Sequence, residues 1–182
     1  DIFSRVLDFS KFDLIYAGAQ KNMGPAGATL VVVKEEILGK TGRYIPSMLD
    51  YEKHIKAESM YNTPPVFPVY ASLLTLQWLK NLGGIAAIEK INEQKAQLLY
   101  AEIDRNPLFK GTAVTEDRSN MNATFVLTDE SLTEKFDTMW KAAGISGLTG
   151  HRSVGGYRAS MYNALPLERV EALVNVMKEL EK

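Results

Sequence analysis

The sequence predicts a mixed α/β chain organised as two domains, residues 1–83 and 84–182, and three observations predict it. Residues 13–18 and 28–33 are apolar runs, the second strongly β-branched, and they read as two buried strands joined by a glycine-rich connection. Gly83-Gly84 then interrupts the chain near its middle. After that pair, strand-like alternation and helix-like periodicity follow one another, the pattern of a small α+β domain. With 182 residues, 46% of them hydrophobic, the chain has enough apolar surface for one good core or two small ones.

Each element follows from a local pattern. Residues 35–38 are expected to make a helical turn. Residues 40–60 are polar, are punctuated by Gly42, Pro46 and Tyr51, and lack apolar periodicity; an irregular segment of that length is functional or mobile. Thr63-Pro64-Pro65 forces an extended backbone, and Pro68 suits the first turn of the helix that follows. That helix is expected to run to about Lys80 with Leu73, Leu74, Leu76 and Leu79 buried on more than one side. Beyond Gly84, the spacing of Ile88, Ile91, Leu98 and Ile103 predicts an amphipathic helix over residues 85–104, with Pro107 past its end. Met121, Ala123, Phe125 and Leu127 alternate toward one face of a strand. Ser131-Leu132-Thr133-Glu134 has the form of a capping box, and Leu132, Phe136, Met139 and Trp140 form the stripe of its helix. A last strand over residues 157–161 leads through Pro166 into a C-terminal helix carrying Leu167, Val170, Leu173, Val174, Met177 and Leu180 inward.

Composition removes several function classes. A net charge of −1 with no basic run gives no electrostatic reason to expect nucleic acid. There are no cysteines, so disulfides and thiolate metal sites are excluded, and a soluble cytoplasmic protein is the default expectation. No apolar stretch approaches the ~20 residues that span a bilayer, so no membrane partner is expected, and none reads as a signal peptide. No spacing of His, Asp and Glu suggests a metal; His54, among Lys53 and Lys56, reads as exposed.

The residue with most chemical promise is Lys21, in the run Ala17-Gly18-Ala19-Gln20-Lys21-Asn22-Met23-Gly24-Pro25-Ala26-Gly27 between the two strands. A lysine on a short connection at a sheet edge, partly desolvated and near other cations, becomes an amine nucleophile. The plainer reading is a solvated surface charge.

That run, with Tyr61-Asn62-Thr63-Pro64-Pro65 and Gly150-His151-Arg152-Ser153-Val154-Gly155-Gly156-Tyr157-Arg158-Ala159-Ser160-Met161-Tyr162-Asn163 in the same order, resembles the class V aminotransferase family of pyridoxal-phosphate enzymes. The resemblance runs across nearly the whole chain, and the family's N-terminal half has no counterpart. The chain opens on Asp1 without an initiator methionine, and residues 1–5 already look like the interior of a family member. The implied fold is the type I fold of pyridoxal-phosphate transferases. Residues 1–83 would be the C-terminal part of its large cofactor-binding domain, and residues 84–182 its small C-terminal domain.

The resemblance also implies roles. Lys21 would bond covalently to pyridoxal 5'-phosphate and then move a proton between the substrate Cα and the cofactor C4′, with Gln20 lining the pocket. Asn62 and Thr63 would hold the cofactor phosphate of a neighbouring subunit, which implies a homodimer with shared sites. The expected substrates, O-phosphoserine or phosphohydroxypyruvate and glutamate or 2-oxoglutarate, each carry two anionic ends. Arg158 would anchor the α-carboxylate, and His151 and Arg152 the phosphate. Read without the resemblance, Gln20 is an ordinary turn residue, Asn62-Thr63 a turn before a helix, His151-Arg152 a solvated loop and Arg158 a surface ion pair. The family's aspartate for the pyridine nitrogen, its stacking aromatic and a further substrate arginine lie upstream, so the isolated chain is expected to be inactive. Two alternatives stand beside this reading: another class V aminotransferase with alanine or serine as donor, and a non-catalytic interaction domain that keeps the fold.

Overall fold

A computed structural model describes residues 2–182; Asp1, the first residue of the expected first domain, lies outside the described residues. The chain divides into two compact units, one made of Ile2 with Val6–Leu82, the other of Phe3–Arg5 with Gly83–Lys182.

In the first unit, strands β1 (Leu14–Gly18) and β2 (Thr29–Val33) pair antiparallel, Leu14 opposite Val33 and Gly18 opposite Thr29. The strands form where the β-branched runs place them, yet they are not buried as expected. They stand as a two-stranded sheet with Tyr16 on one face and Val32 on the other, both exposed. Short 3₁₀ turns occupy Glu35–Ile37 and Ser47–Leu49. The segment expected to be irregular over residues 40–60 contains the second of these turns and helix α1 (Tyr51–Lys56). Asp50 caps that helix by accepting the Glu52 N–H at 3.0 Å. A six-residue helix needs a cap more than an apolar stripe, so periodicity missed it. His54 is also not the exposed residue expected. It is half-buried, with Nε2 3.1 Å from the Met48 carbonyl and its ring edge-on to Tyr61.

Helix α2 (Val66–Asn81) has Pro68 in its first turn, where no intrahelical donor is missed. Only Leu79 of its four expected core leucines is buried; Leu73 and Leu74 are half exposed. The helix is apolar all round, and the first unit covers only part of its circumference.

The second unit begins with Gly83 and Gly84 at positive φ, then α3 (Ile85–Arg105), β3 (Phe109–Gly111), β4 (Asn122–Leu127), α4 (Thr133–Ala142), β5 (Tyr157–Ser160) and α5 (Leu167–Leu180). The strands form an antiparallel sheet in the order β3-β4-β5. Strand β4 turns Ala123, Phe125 and Leu127 inward, where α3 and α5 pack together and α4 packs on α5. Phe109, Phe125, Phe136 and Tyr157 form the centre of this core, with ring centroids 5.0 to 5.8 Å apart in edge and stacked pairs. The expected capping box does not form. A 3₁₀ turn over Glu130–Leu132 leads into α4, and its cap is Asp129, which accepts the Ser131 N–H at 2.9 Å. An aspartate two residues earlier competes for the same donors and sets the start of the turn.

Candidate functional site

The turn that carries Lys21 is organised by one carbonyl. Ala19 O accepts N–H bonds from Lys21 at 2.7 Å, Met23 at 3.2 Å and Gly24 at 2.8 Å, while the Ala19 N–H donates to Ala28 O at 2.9 Å. Ala19, Asn22 and Met23 are buried beneath the turn, and Asn22 Nδ2 donates to Ile2 O at 3.1 Å. With those residues facing inward, the Lys21 side chain is left exposed. The partial desolvation expected for it is absent from the first unit as described.

Glycines let this turn lie against its neighbours. A Cβ on Gly18 would overlap the carboxamide of Gln20, so Gln20 folds back over the strand end. Gly27, at φ +123°, would bring a Cβ within 2.7 Å of the Pro68 ring, and Gly24 within 3.0 Å of Ser72 Oγ. The lysine turn is therefore pressed on the first two turns of α2, beside a buried Ser72 hydroxyl with no hydrogen-bond partner among the described residues.

Asn62 and Thr63 lie on the segment that leads into that same helix. Both are exposed, and no hydrogen bond engages their side chains among the described residues. Immediately before them Glu58 and Ser59 hold left-handed backbone, φ 51° and 66°, where α1 is terminated by the Ser59 N–H donating to His54 O at 2.8 Å. Two consecutive non-glycine residues in this region are costly, and such strain gathers where a segment's course matters. Nothing in the sequence periodicity signals it.

In the second unit, β5 turns Tyr157 and Ala159 inward, leaving Arg158 outward, opposite Thr124. Tyr157 anchors the strand by donating its hydroxyl to Asp137 Oδ1 at 3.0 Å; burial and the nearby carboxylate push the phenol above its ordinary pKa. The loop before the strand closes on itself. Gly150 N–H donates to Gly156 O at 2.8 Å, and His151 O accepts from both Val154 and Gly155 at 2.8 Å. A Cβ on Gly150 would overlap the Gly155 carbonyl, so glycine is required there. His151 and Arg152 sit exposed on this turn, with His151 Nδ1 2.7 Å from Ser153 Oγ. The structure thus brings His151, Arg152 and Arg158 onto one glycine-hinged loop and strand.

Arg158 is not the surface ion pair of the plainer reading: no carboxylate pairs with it among the described residues. It lines a cavity of about 410 Å³ with Ser146, Ser160 and Arg169, over a floor that includes Leu148 and Met161. Among the described residues no acidic side chain lines this cavity, so its two arginines have no counter-charge within the lining. Arg169 was not singled out by the sequence, because one arginine in the first turn of an amphipathic helix carries no signal. No cluster of three metal-ligating side chains occurs among the described residues, and no helix there is long and apolar enough to cross a membrane.

Residues 1–173 match the family model described as aminotransferase class-V. Over the whole chain the sequence is 87% identical to a phosphoserine aminotransferase of Flavobacterium psychrophilum and 78% identical to that of Flavobacterium johnsoniae, in each case covering 51% of the relative. Among solved structures, a phosphoserine aminotransferase from Bacillus circulans subsp. alkalophilus superposes with a TM-score of 0.94 at 43% identity over 100% of this chain and 50% of that one. A pyridoxal-phosphate-bound phosphoserine aminotransferase from Trichomonas vaginalis gives 0.89 at 38% identity, over 96% of this chain and 50% of that one. The chain spans about half the length of the relatives it matches.

Proposed function

Because the chain belongs to the class V aminotransferase family and shares its fold, we propose that the protein it forms part of transfers the amino group of glutamate to phosphohydroxypyruvate, giving O-phosphoserine and 2-oxoglutarate. The observation that carries the reading is the 87% identity over 181 residues with a relative so named. The alternative donors, alanine or serine, are disfavoured by the His151-Arg152 pair, which suits a second anion on the substrate.

The residues present fit pyridoxal 5'-phosphate. The first unit offers an exposed primary amine on a turn fixed from below, and unengaged amide and hydroxyl groups at Asn62 and Thr63. When bound, the cofactor supplies the aldehyde that accepts the amino group and the electron sink for the substrate carbanion. Lys21 would supply the mobile amine that takes up the proton of the substrate Cα and gives it back. Gln20 would line the cofactor pocket. Asn62 and Thr63 would offer hydrogen bonds to the cofactor phosphate, in the neighbouring subunit's site of a cytoplasmic homodimer. Arg158 forms paired hydrogen bonds with the α-carboxylate and so fixes the Cα–H bond for proton removal, while His151 and Arg152 hold the phosphate. The family's partner for the pyridine nitrogen has no assigned counterpart among these 182 residues, so the turnover proposed is that of the whole protein.

Replacing both His151 and Arg152 by alanine in the whole protein tests the assignment. Use of phosphohydroxypyruvate is expected to fall at least tenfold more than cofactor affinity, and equal losses would remove it.

A further inference from the structure

Lys95 is the least expected residue in the second unit. It lies on α3, its side chain is wholly buried, and among the described residues no carboxylate pairs with it. Its ammonium donates to three carbonyls, Met161 O, Tyr162 O and Leu165 O, each at 3.0 Å. An ammonium has three N–H donors and no acceptor, so this pocket matches its valence completely. A neutral amine would turn a lone pair on one of those carbonyls.

One helical turn earlier, Asn92 extends the same arrangement. Its Nδ2 donates to Asn163 Oδ1 at 2.9 Å and to Ser4 O at 3.1 Å, and Asn163 Nδ2 donates to Phe3 O at 2.9 Å. Asn92 and Asn163 are both buried. Phe3 holds a left-handed backbone, φ 62°, as it offers that carbonyl. The three side chains clamp the connection from the end of β5 to the start of α5 onto α3.

The clamp grips β5 where the sheet grips it least. Strand β5 is the last of the sheet, paired along one side to β4. On the other side it has an isolated bridge from Thr149 to Tyr157 and the Arg158 N–H donating to Leu148 O at 2.7 Å. Beyond Ser160 the ladder stops, and Met161 N–H donates to Met121 O before the backbone passes to the Lys95 ammonium. Arg158 stands three residues before that first gripped carbonyl. A bidentate guanidinium loses its advantage when its backbone moves by about 1 Å.

We infer that Lys95, with Asn92 and Asn163, is a positioning residue for Arg158: it fixes the far end of β5 so that the guanidinium meets the substrate carboxylate in one orientation. The inference rests on the reading of Arg158 as the carboxylate anchor. Lys95 itself touches neither substrate nor cofactor.

The experiment uses the whole protein, with its upstream half, and the variants Lys95→Met and Asn163→Ala. Four readouts are taken: the thermal midpoint, the affinity for pyridoxal phosphate, kcat and KM for glutamate, and amide hydrogen exchange over residues 157–163. A clamp predicts that Lys95→Met keeps cofactor affinity within twofold, raises KM for glutamate at least tenfold, and speeds exchange across β5 at least tenfold. Ile103→Ala, buried on α3 but outside both the clamp and the Arg158 cavity, lowers the thermal midpoint without moving KM. Lys95→Cys, alkylated with 2-bromoethylamine in denaturant and refolded, with any cysteine of the upstream half first replaced by serine, restores an ammonium of nearly the same reach and with it KM; the 182 residues hold no native cysteine. Should Lys95→Met fail to fold, Asn163→Ala is read by the same criteria. A lowered thermal midpoint with KM and exchange at β5 unchanged overturns the inference. Absence of transamination by the unsubstituted protein instead overturns the proposed function, while exchange at β5 still decides whether the clamp exists.

Discussion

The amine of Lys21 reaches solvent because the turn beneath it directs Ala19 and Met23 inward and commits the Ala19 carbonyl to three N–H groups. Lys95 meets the opposite environment, and burial pushes its ammonium down to about 8. An unfolded lysine titrates near 10.4. Between those values the unfolded chain binds more protons than the folded one, so this residue makes stability rise with pH across that window. Below about 8 both states are protonated, the full cost of the buried charge is present, and all three donors of the clamp are in place. Urea midpoints at pH 7.5, 9 and 10.5 should therefore show a rise in the unsubstituted chain relative to Lys95→Met. A difference between the two proteins that does not change with pH would contradict this account.

At the scale of the element, the start of a short turn is set by whichever polar side chain reaches its first free N–H group. In the second unit that residue is Asp129, ahead of α4. Asp129→Ala should lower the thermal midpoint, and Ser131→Ala should lower it by less. The reverse order would restore the capping box read from the sequence. That reading failed because Ser131, Thr133 and Asp129 are all competent caps, and sequence spacing alone does not rank them. The strands and long helices were legible because β-branched runs and the 3.6-residue period are local properties. Burial was less so: Leu73 and Leu74 look like core residues in sequence, but what covers a helix is a property of its neighbours. The candidate site divides in the same way. Lys21, Asn62, Thr63, His151, Arg152 and Arg158 were found through the wording of three motifs, whereas Lys95 was passed over because a lysine on an amphipathic helix reads as surface.

For the whole molecule, the two units differ in how completely they bury their apolar residues. The second encloses an aromatic core, while the first leaves Val66, Phe67, Val69, Tyr70, Leu73 and Trp78 of α2 exposed. An apolar surface of that extent on one helix favours association. The 182-residue chain alone should show a molecular mass that rises with concentration in light scattering, and Phe67→Glu with Leu73→Glu should reduce it. A mass that stays monomeric from micromolar to millimolar concentration would refute this.

The most direct test of the central claim is to add pyridoxal phosphate to the whole protein, reduce with borohydride, digest, and map the modified peptide. The account predicts one pyridoxyl group, on Lys21. A protein that takes up no label, or carries it on other lysines with Lys21 unmodified, would contradict it.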